Sequence, residues 1–206
     1  FPCGRILKRC RSPFLAAIAV PRFVLCMHFF LSCASTKNES SADISPVYIT
    51  NTKKFYLLSP DNIEKPVDSL QLLTGSFGDS SFVLQAFLQA DENGFFLSLL
   101  NDFGTGMGNL VYDGTKITFD SAVFPKSLKP EYIASDLQFA YYKPSAIKKR
   151  LSELNLDFTL TNENGKEIRR IMNGTKCIEQ ISKSDGVVDI ENFLRGYRYN
   201  LQEAAE

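Results

Sequence analysis

Apolar and mixed positions alternate with period two between Phe82 and Gln89. Phe82, Leu84, Ala86 and Leu88 fall on one face, and Val83, Gln85, Phe87 and Gln89 on the other. That spacing predicts a β-strand with a buried face. Strand signals begin near Leu70, and Asp91-Glu92-Asn93-Gly94 then supplies a hairpin turn, because Asn-Gly accepts positive φ. Phe95 to Leu100 is the return strand. Asn109 to Tyr112 and Lys116 to Ser121 form a second hairpin about Asp113-Gly114, with Ile117 and Phe119 sharing a face.

The period then changes. Pro130 to Tyr142 carries Ile133, Leu137, Ala140 and Tyr141 near helical spacing, with Pro130 suited to a first turn. Pro144 ends that helix. Ser145 to Leu154 begins another, with Ile147, Leu151 and Leu154 on one stripe. Strands resume at Asp157 to Thr161, Glu167 to Met172, Lys176 to Ser182, Val187 to Ile190 and Arg195 to Leu201. Asn164-Gly165, Asn173-Gly174 and Asp185-Gly186 separate them, which predicts an antiparallel meander. Short strands at Val47 to Ile49 and Phe55 to Leu58 precede all of this. The fold class expected is β-rich α+β: a curved antiparallel sheet, an incomplete barrel, with a helical pair covering its concave face.

Upstream lies a different pattern. Phe23 to Leu31 is a short apolar run after Arg22, followed by Ser32-Cys33 and the polar stretch Ala34 to Ser41. The run is too short to span a bilayer, which takes roughly 20 residues. A charged start, an apolar centre and a small residue before the junction predict a secretory signal. Residues 1–32 are read as leader, 33–46 as a Ser-rich flexible tether and 47–206 as one domain. An uncleaved anchor and a buried core segment are the competing readings of the run. Phe1 to Val20, with Arg5, Lys8, Arg9 and Arg11, reads either as sequence upstream of the true start or as a long basic leader.

Cleavage before Cys33 changes the composition that matters. Five of the 23 basic residues and none of the 23 acidic ones lie before it, so the remainder carries a net charge of −5. An acidic domain disfavours nucleic acid as a partner. Cys3, Cys10 and Cys26 leave with the leader, and Cys177 alone remains besides Cys33, so no disulfide is expected within the domain. Cys177 itself reads as a small buried hydrophobe. His28, the single histidine, also leaves. That removes Ser-His-Asp and Cys-His catalysis and histidine zinc sites. No metal and no cofactor are expected, and the chain is not read as an enzyme.

The remaining candidate chemistry is sparse. Gly104-Thr105-Gly106-Met107-Gly108 invites a dinucleotide reading, but strand and turn follow it where that fingerprint needs a helix. A tight strand connection is the better reading. The spacing of Asp102, Asp113, Asp120 and Asp136 brings no two carboxylates together. Asp136 lies among apolar residues; it either faces water or is buried with partners. Lys148-Lys149-Arg150 reads as a solvated helix face or a contact for anionic lipid head groups. The aromatic load of the central half suits core packing or an apolar cavity between sheet and helices.

Two stretches carry a resemblance. Ser32-Cys33 resembles the lipidation site of bacterial lipoproteins, with Phe30 departing from the usual smaller aliphatic residue; Cys26, after the large Leu25, is the poorer match. Leu97 to Gly106 and on through Leu110-Val111-Tyr112-Asp113-Gly114 resembles the outer-membrane lipoprotein receptor LolB. Pro130 to Phe139 resembles, more closely, an uncharacterised family of bacterial lipoproteins found beside aryl-polyene or fatty-acid-like biosynthesis genes and thought to share the LolA/LolB-like fold. The resemblance spans Leu70 to Leu201 and implies a curved, incomplete barrel whose helices plug an apolar cavity. The loop Ala122 to Lys129 is the candidate for a membrane-facing apolar loop.

The expectation is therefore an envelope lipoprotein, tethered to the membrane by lipid on Cys33, that binds an acyl chain, a lipoprotein or another apolar ligand. Ala34 in place of Asp after Cys33 favours the outer membrane, facing the periplasm. Phe82, Leu84, Phe95, Leu97, Phe119, Leu137 and Tyr141 are the expected ligand-contacting residues. The alternative is a structural or scaffolding envelope lipoprotein with a protein partner.

Overall fold

The structure, a computed structural model, describes residues 39–43, 45–121 and 129–204. The expected leader, Cys33 and the candidate loop at 122–128 lie outside the described residues. Strand β1 is Glu39–Asp43, and two short strands, β2 (Val47–Tyr48) and β3 (Lys54–Phe55), follow. A meander then runs through β4 (Val67–Phe77), β5 (Ser80–Asp91), β6 (Gly94–Leu100), β7 (Gly106–Tyr112) and β8 (Lys116–Asp120). Helices α1 (Pro130–Tyr141) and α2 (Pro144–Ser152) separate it from a second meander. That one comprises β9 (Asp157–Glu163), β10 (Lys166–Asn173), β11 (Lys176–Ser184), β12 (Val187–Asn192) and β13 (Tyr197–Glu203).

The meanders join where the first strand of one pairs with the last strand of the other. Tyr197 lies opposite Phe77, Tyr199 opposite Gly75 and Leu201 opposite Leu73. The result is an 11-stranded antiparallel sheet in the order β1-β8-β7-β6-β5-β4-β13-β12-β11-β10-β9, curved and not closed. Glu39–Asp43, expected within the flexible tether, instead pairs along β8 as an edge strand. Backbone hydrogen bonding to a strand edge explains why this polar segment is extended.

The connection from β8 to β9 crosses from one side of the sheet to the other, with eight strands between. A flat sheet would separate β8 and β9 by about 43 Å at 4.8 Å per strand. The 21 helical residues of α1 and α2 reach roughly 32 Å. Curling the sheet around the helices shortens the crossing and buries its apolar face. Register shifts at Leu99/Leu100 and at Ile171/Met172 mark bulges, which bend and twist strands. At Gly94, φ is +147° and a Cβ would sit 1.9 Å from the Tyr112 carbonyl oxygen, so glycine is required there.

Helix α1 occupies the concavity. Pro130 opens it at a position where the missing N–H costs nothing. Its buried residues, Glu131 and Ala134 through Ala140, run round the whole circumference. They do so because residues 45–66 cover the side of α1 away from the sheet. Phe55 packs edge-on against Phe139 at 5.0 Å. The Gln138 side chain accepts from the Leu58 N–H and donates to the Leu58 carbonyl, both at 2.8 Å. The Glu64 N–H bonds the Tyr141 carbonyl, and Lys143 N–H bonds that of Asn62. Helix α2 packs against β9 through buried Ile147 and Leu151, leaving Lys148 and Lys149 exposed. None of the helices among the described residues is long and apolar enough to cross a membrane.

Arg169 fastens α1 to the second meander. Its side chain is fully buried. Nη1 donates to the carbonyls of Phe139 (3.1 Å) and Tyr142 (2.7 Å), and Nη2 and Nε donate to Glu64 (2.6 Å) and Glu167 (2.8 Å). The guanidinium thus caps the C-terminal carbonyls of α1, where a cation also suits the helix dipole.

Candidate functional site on the concave face

Inward positions divide the concave face into an apolar and a polar half. On β5 to β8 the inward residues from Leu84 to Phe119 are apolar apart from Tyr112, whose hydroxyl donates to the Leu58 carbonyl at 2.8 Å. The register sets Leu88, Leu97, Leu110 and Phe119 side by side in one row across four strands. All four are buried. Ala86 and Gly108 flank Leu99 in the next row, leaving space for the helix.

Five of the expected ligand contacts, Leu84, Phe95, Leu97, Phe119 and Leu137, belong to this packed core. Phe82 shares the inward face of β5 but lies at its open end, 36% exposed. Its ring occupies the space over Gly75, where an added Cβ would fall 2.3 Å from Cζ. Tyr141 is on α1 but faces the other half, with Lys183 Nζ 5.9 Å from its ring. The seven residues therefore do not line one open cavity, because α1 fills the space between them. Two surface hollows of about 230 and 450 Å³ lie elsewhere. One is bordered by Thr50, Asn173 and Lys176, the other by Lys148, Leu156 and Met172.

The polar half is built from β10 to β13. Tyr197, Asn192 and Glu179 sit opposite one another in a single cross-strand row. Asp136 on α1 lies against that row, 2% exposed, and its Oδ2 accepts hydrogen bonds from Tyr197 (2.8 Å) and Tyr199 (3.0 Å). Glu179 is equally buried; its Oε2 accepts from Asn192 Nδ2 at 2.9 Å and its Oε1 has no partner. Burial pushes the Asp136 carboxyl up to about 7, against the pull of the two tyrosine hydroxyls and Arg195. Burial and then the Asp136 charge push Glu179 well above the ordinary carboxylate range. Desolvation likewise raises both tyrosines. Arg195 is at the rim, stacked on the Tyr132 ring at 4.1 Å and bonded to the Tyr132 hydroxyl and the Tyr48 carbonyl.

Of the two placements open to Asp136, the buried one with partners is realised. The carboxylate linked to it, through Tyr197 and Asn192, is Glu179, which no spacing argument singled out. Alternation does place Glu179 on the face of Ile181, but the extra residue Ile178 at the bulge buries both faces there and blurs the signal. Cys177 is half-buried on the other face rather than buried. The Gly104 segment is a connection: Asn101 Oδ1 accepts from the N–H groups of Phe103 and Thr105, and β7 follows. Among the described residues no cluster of His, Cys, Asp or Glu suits a metal ion.

The architecture is that of an open half-barrel wrapped around a central helix. The chain belongs to a family described as "Protein of unknown function (DUF3261)", whose model matches residues 68–205. That span runs from the start of β4 to the end of β13 and takes in both meanders and both helices. Among curated proteins, nothing matches the chain.

Proposed function

We propose that the chain is a bacterial envelope lipoprotein, anchored through lipid on Cys33, that holds an acyl chain or similarly apolar ligand in its half-barrel. The observation that supports this reading is the apolar lane on β5 to β8, with the row Leu88, Leu97, Leu110 and Phe119 at its centre. The lane has no buried charge and ends at half-exposed Phe82. A ligand occupies the lane when α1 and its N-terminal cover shift, in the way a helix-filled groove exchanges one apolar occupant for another. The anchor keeps the protein at the surface from which such a ligand comes. Outer-membrane placement facing the periplasm follows from Ala34 after Cys33. Native mass spectrometry of a Cys33→Ser form, gently purified, is the test, with fluorescent fatty acid titration beside it. A co-purifying lipid or saturable binding supports the carrier; a ligand-free protein that leaves the fatty acid unbound refutes it.

One observation favours the second reading, an envelope scaffold with a protein partner. Leu70, Leu72, Val83 and Val111 are 40–55% exposed on the convex face, beside the ring pair Phe87 and Phe96. Apolar residues grouped on one face suit a protein contact. A stoichiometric partner recovered from envelope extracts, lost on Val83→Lys, supports that reading, and a lane that binds lipid without it supports the first.

A further inference from the structure

Asp136 sits at a seam. It is on the helix that fills the concavity, and its hydrogen-bond partners among the described residues belong to the sheet. From β13 come the hydroxyls of Tyr197 and Tyr199. From β12 comes Asn192, whose Nδ2 donates to the Tyr197 hydroxyl and to Glu179, and from β11 comes Glu179 itself, with Ile171 of β10 beside it. From the turn after β12 comes Arg195, exposed and already engaged with Tyr132 and Tyr48. Two carboxyls buried to 2% exposure therefore share one seam, and among the described residues the cation acting on both is Arg195, whose bonds go to Tyr48 and Tyr132. Glu179 Oε1, buried without a hydrogen-bond partner, is an atom that a carboxylate cannot leave bare at low cost but a protonated carboxyl can.

We propose that Asp136 and Glu179 form a proton-dependent latch that seats α1 in the half-barrel, and that α1 loosens when both carboxyls become charged. Two like charges in a low-dielectric seam cannot both ionise without repulsion, so the seated state holds at least one proton where the released state holds none. The sign follows from the raised values. An exposed aspartate has an ordinary value of 3.8, and burial pushes the seated Asp136 carboxyl up to about 7. Seating is therefore fully favoured at low pH and weakens as pH rises across that interval, with the raised Glu179 carboxyl acting in the same direction. A consequence for ligand exchange, with acid holding α1 in the lane and neutral pH freeing it, rests on the acyl-carrier reading above; the latch itself does not.

Hydrogen exchange on the full chain, without ligand, tests the latch. Between about pH 5 and pH 7 the opening constant of α1 amides, corrected for intrinsic rates, should rise about tenfold per pH unit for each proton held. Amides of β5 and β6 should show no such slope. Asp136→Asn, which keeps an acceptor for the tyrosines, and Glu179→Gln should each flatten it. A slope unchanged in both variants, or α1 exchange that follows intrinsic rates alone, overturns the proposal. Carboxyl-carbon NMR of the unmodified protein covers the case of a variant that fails to fold: both carboxyls titrating in the ordinary range also overturns it. Loss of fatty acid binding with the slope intact would reject the carrier reading and leave the latch standing.

Discussion

Replacing Arg169 by alanine removes a fully buried guanidinium that makes four hydrogen bonds, two to backbone carbonyls and two to carboxylates. Summed at ~1.5–3 kcal/mol for each charge-assisted bond, these would contribute ~6–12 kcal/mol. Desolvating the guanidinium offsets several of those. What remains after truncation is the state of the partners. The Phe139 and Tyr142 carbonyls lose their donor at the end of α1, and Glu64 and Glu167 lose a counter-ion while staying about one-third exposed. The carboxylates recover water and the carbonyls do not. A loss of ~3–5 kcal/mol is expected, the usual cost of removing one partner from a buried charged network. That is a large share of the ~5–15 kcal/mol that stabilises a typical domain. Arg169→Met restores packing volume but no donor and should recover only ~1–2 kcal/mol. Urea denaturation followed by far-ultraviolet circular dichroism measures this, with the midpoint lowered and the m-value unchanged. A loss under about 1 kcal/mol for Arg169→Ala, or full recovery in Arg169→Met, would refute the view that this residue caps α1.

Other expectations concern α1's cover and the sheet's close approaches. Gln138→Leu leaves the Leu58 N–H without its acceptor and should cost ~2–3 kcal/mol, with raised exchange at residues 55–64. Leu88→Ala, at 0% exposure in the apolar lane, should cost ~2–5 kcal/mol in the same denaturation assay. Gly94→Ala forces a Cβ onto the Tyr112 carbonyl at positive φ, so soluble yield and thermal midpoint should both fall, by more than ~2 kcal/mol in stability. Gly75→Ala meets the Phe82 ring at 2.3 Å; it should destabilise alone and be largely rescued by adding Phe82→Ala, a coupling that a double-mutant cycle reads directly.

Much of the fold was legible in the chain because strands and helices differ in period. The alternation from Phe82 to Gln89 anticipates β5, and the helical spacing at Ile133, Leu137 and Ala140 anticipates α1. The Asn-Gly and Asp-Gly turns fall where hairpins occur, at Gly94, Gly114, Gly165, Gly174 and Gly186. The site was less legible. Leu84, Leu97 and Phe119 read as lining residues, and they are buried as inward positions should be, but periodicity reports only that a side chain is covered. It does not say whether a helix or a ligand covers it. Arg169 and Glu179 look like surface charges in alternating strands, because three of Arg169's partners lie 27 to 105 positions away in the chain and Glu179 is hidden behind a bulge.

The local elements, the excess of acidic residues after Cys33 and the lack of histidine from Ala34 to Glu206 are all read from the chain alone, since each depends on neighbours within a few residues or on simple counting. Tertiary structure decided three further matters. β13 closes against β4, so two meanders become one sheet. Helix α1 is a core element between sheet and cover rather than a lid. Asp136 and Glu179 are joined through Tyr197 and Asn192 across the seam between helix and sheet. Each of these is a contact between distant segments, settled by how a curved sheet buries its apolar face around the nearest helix.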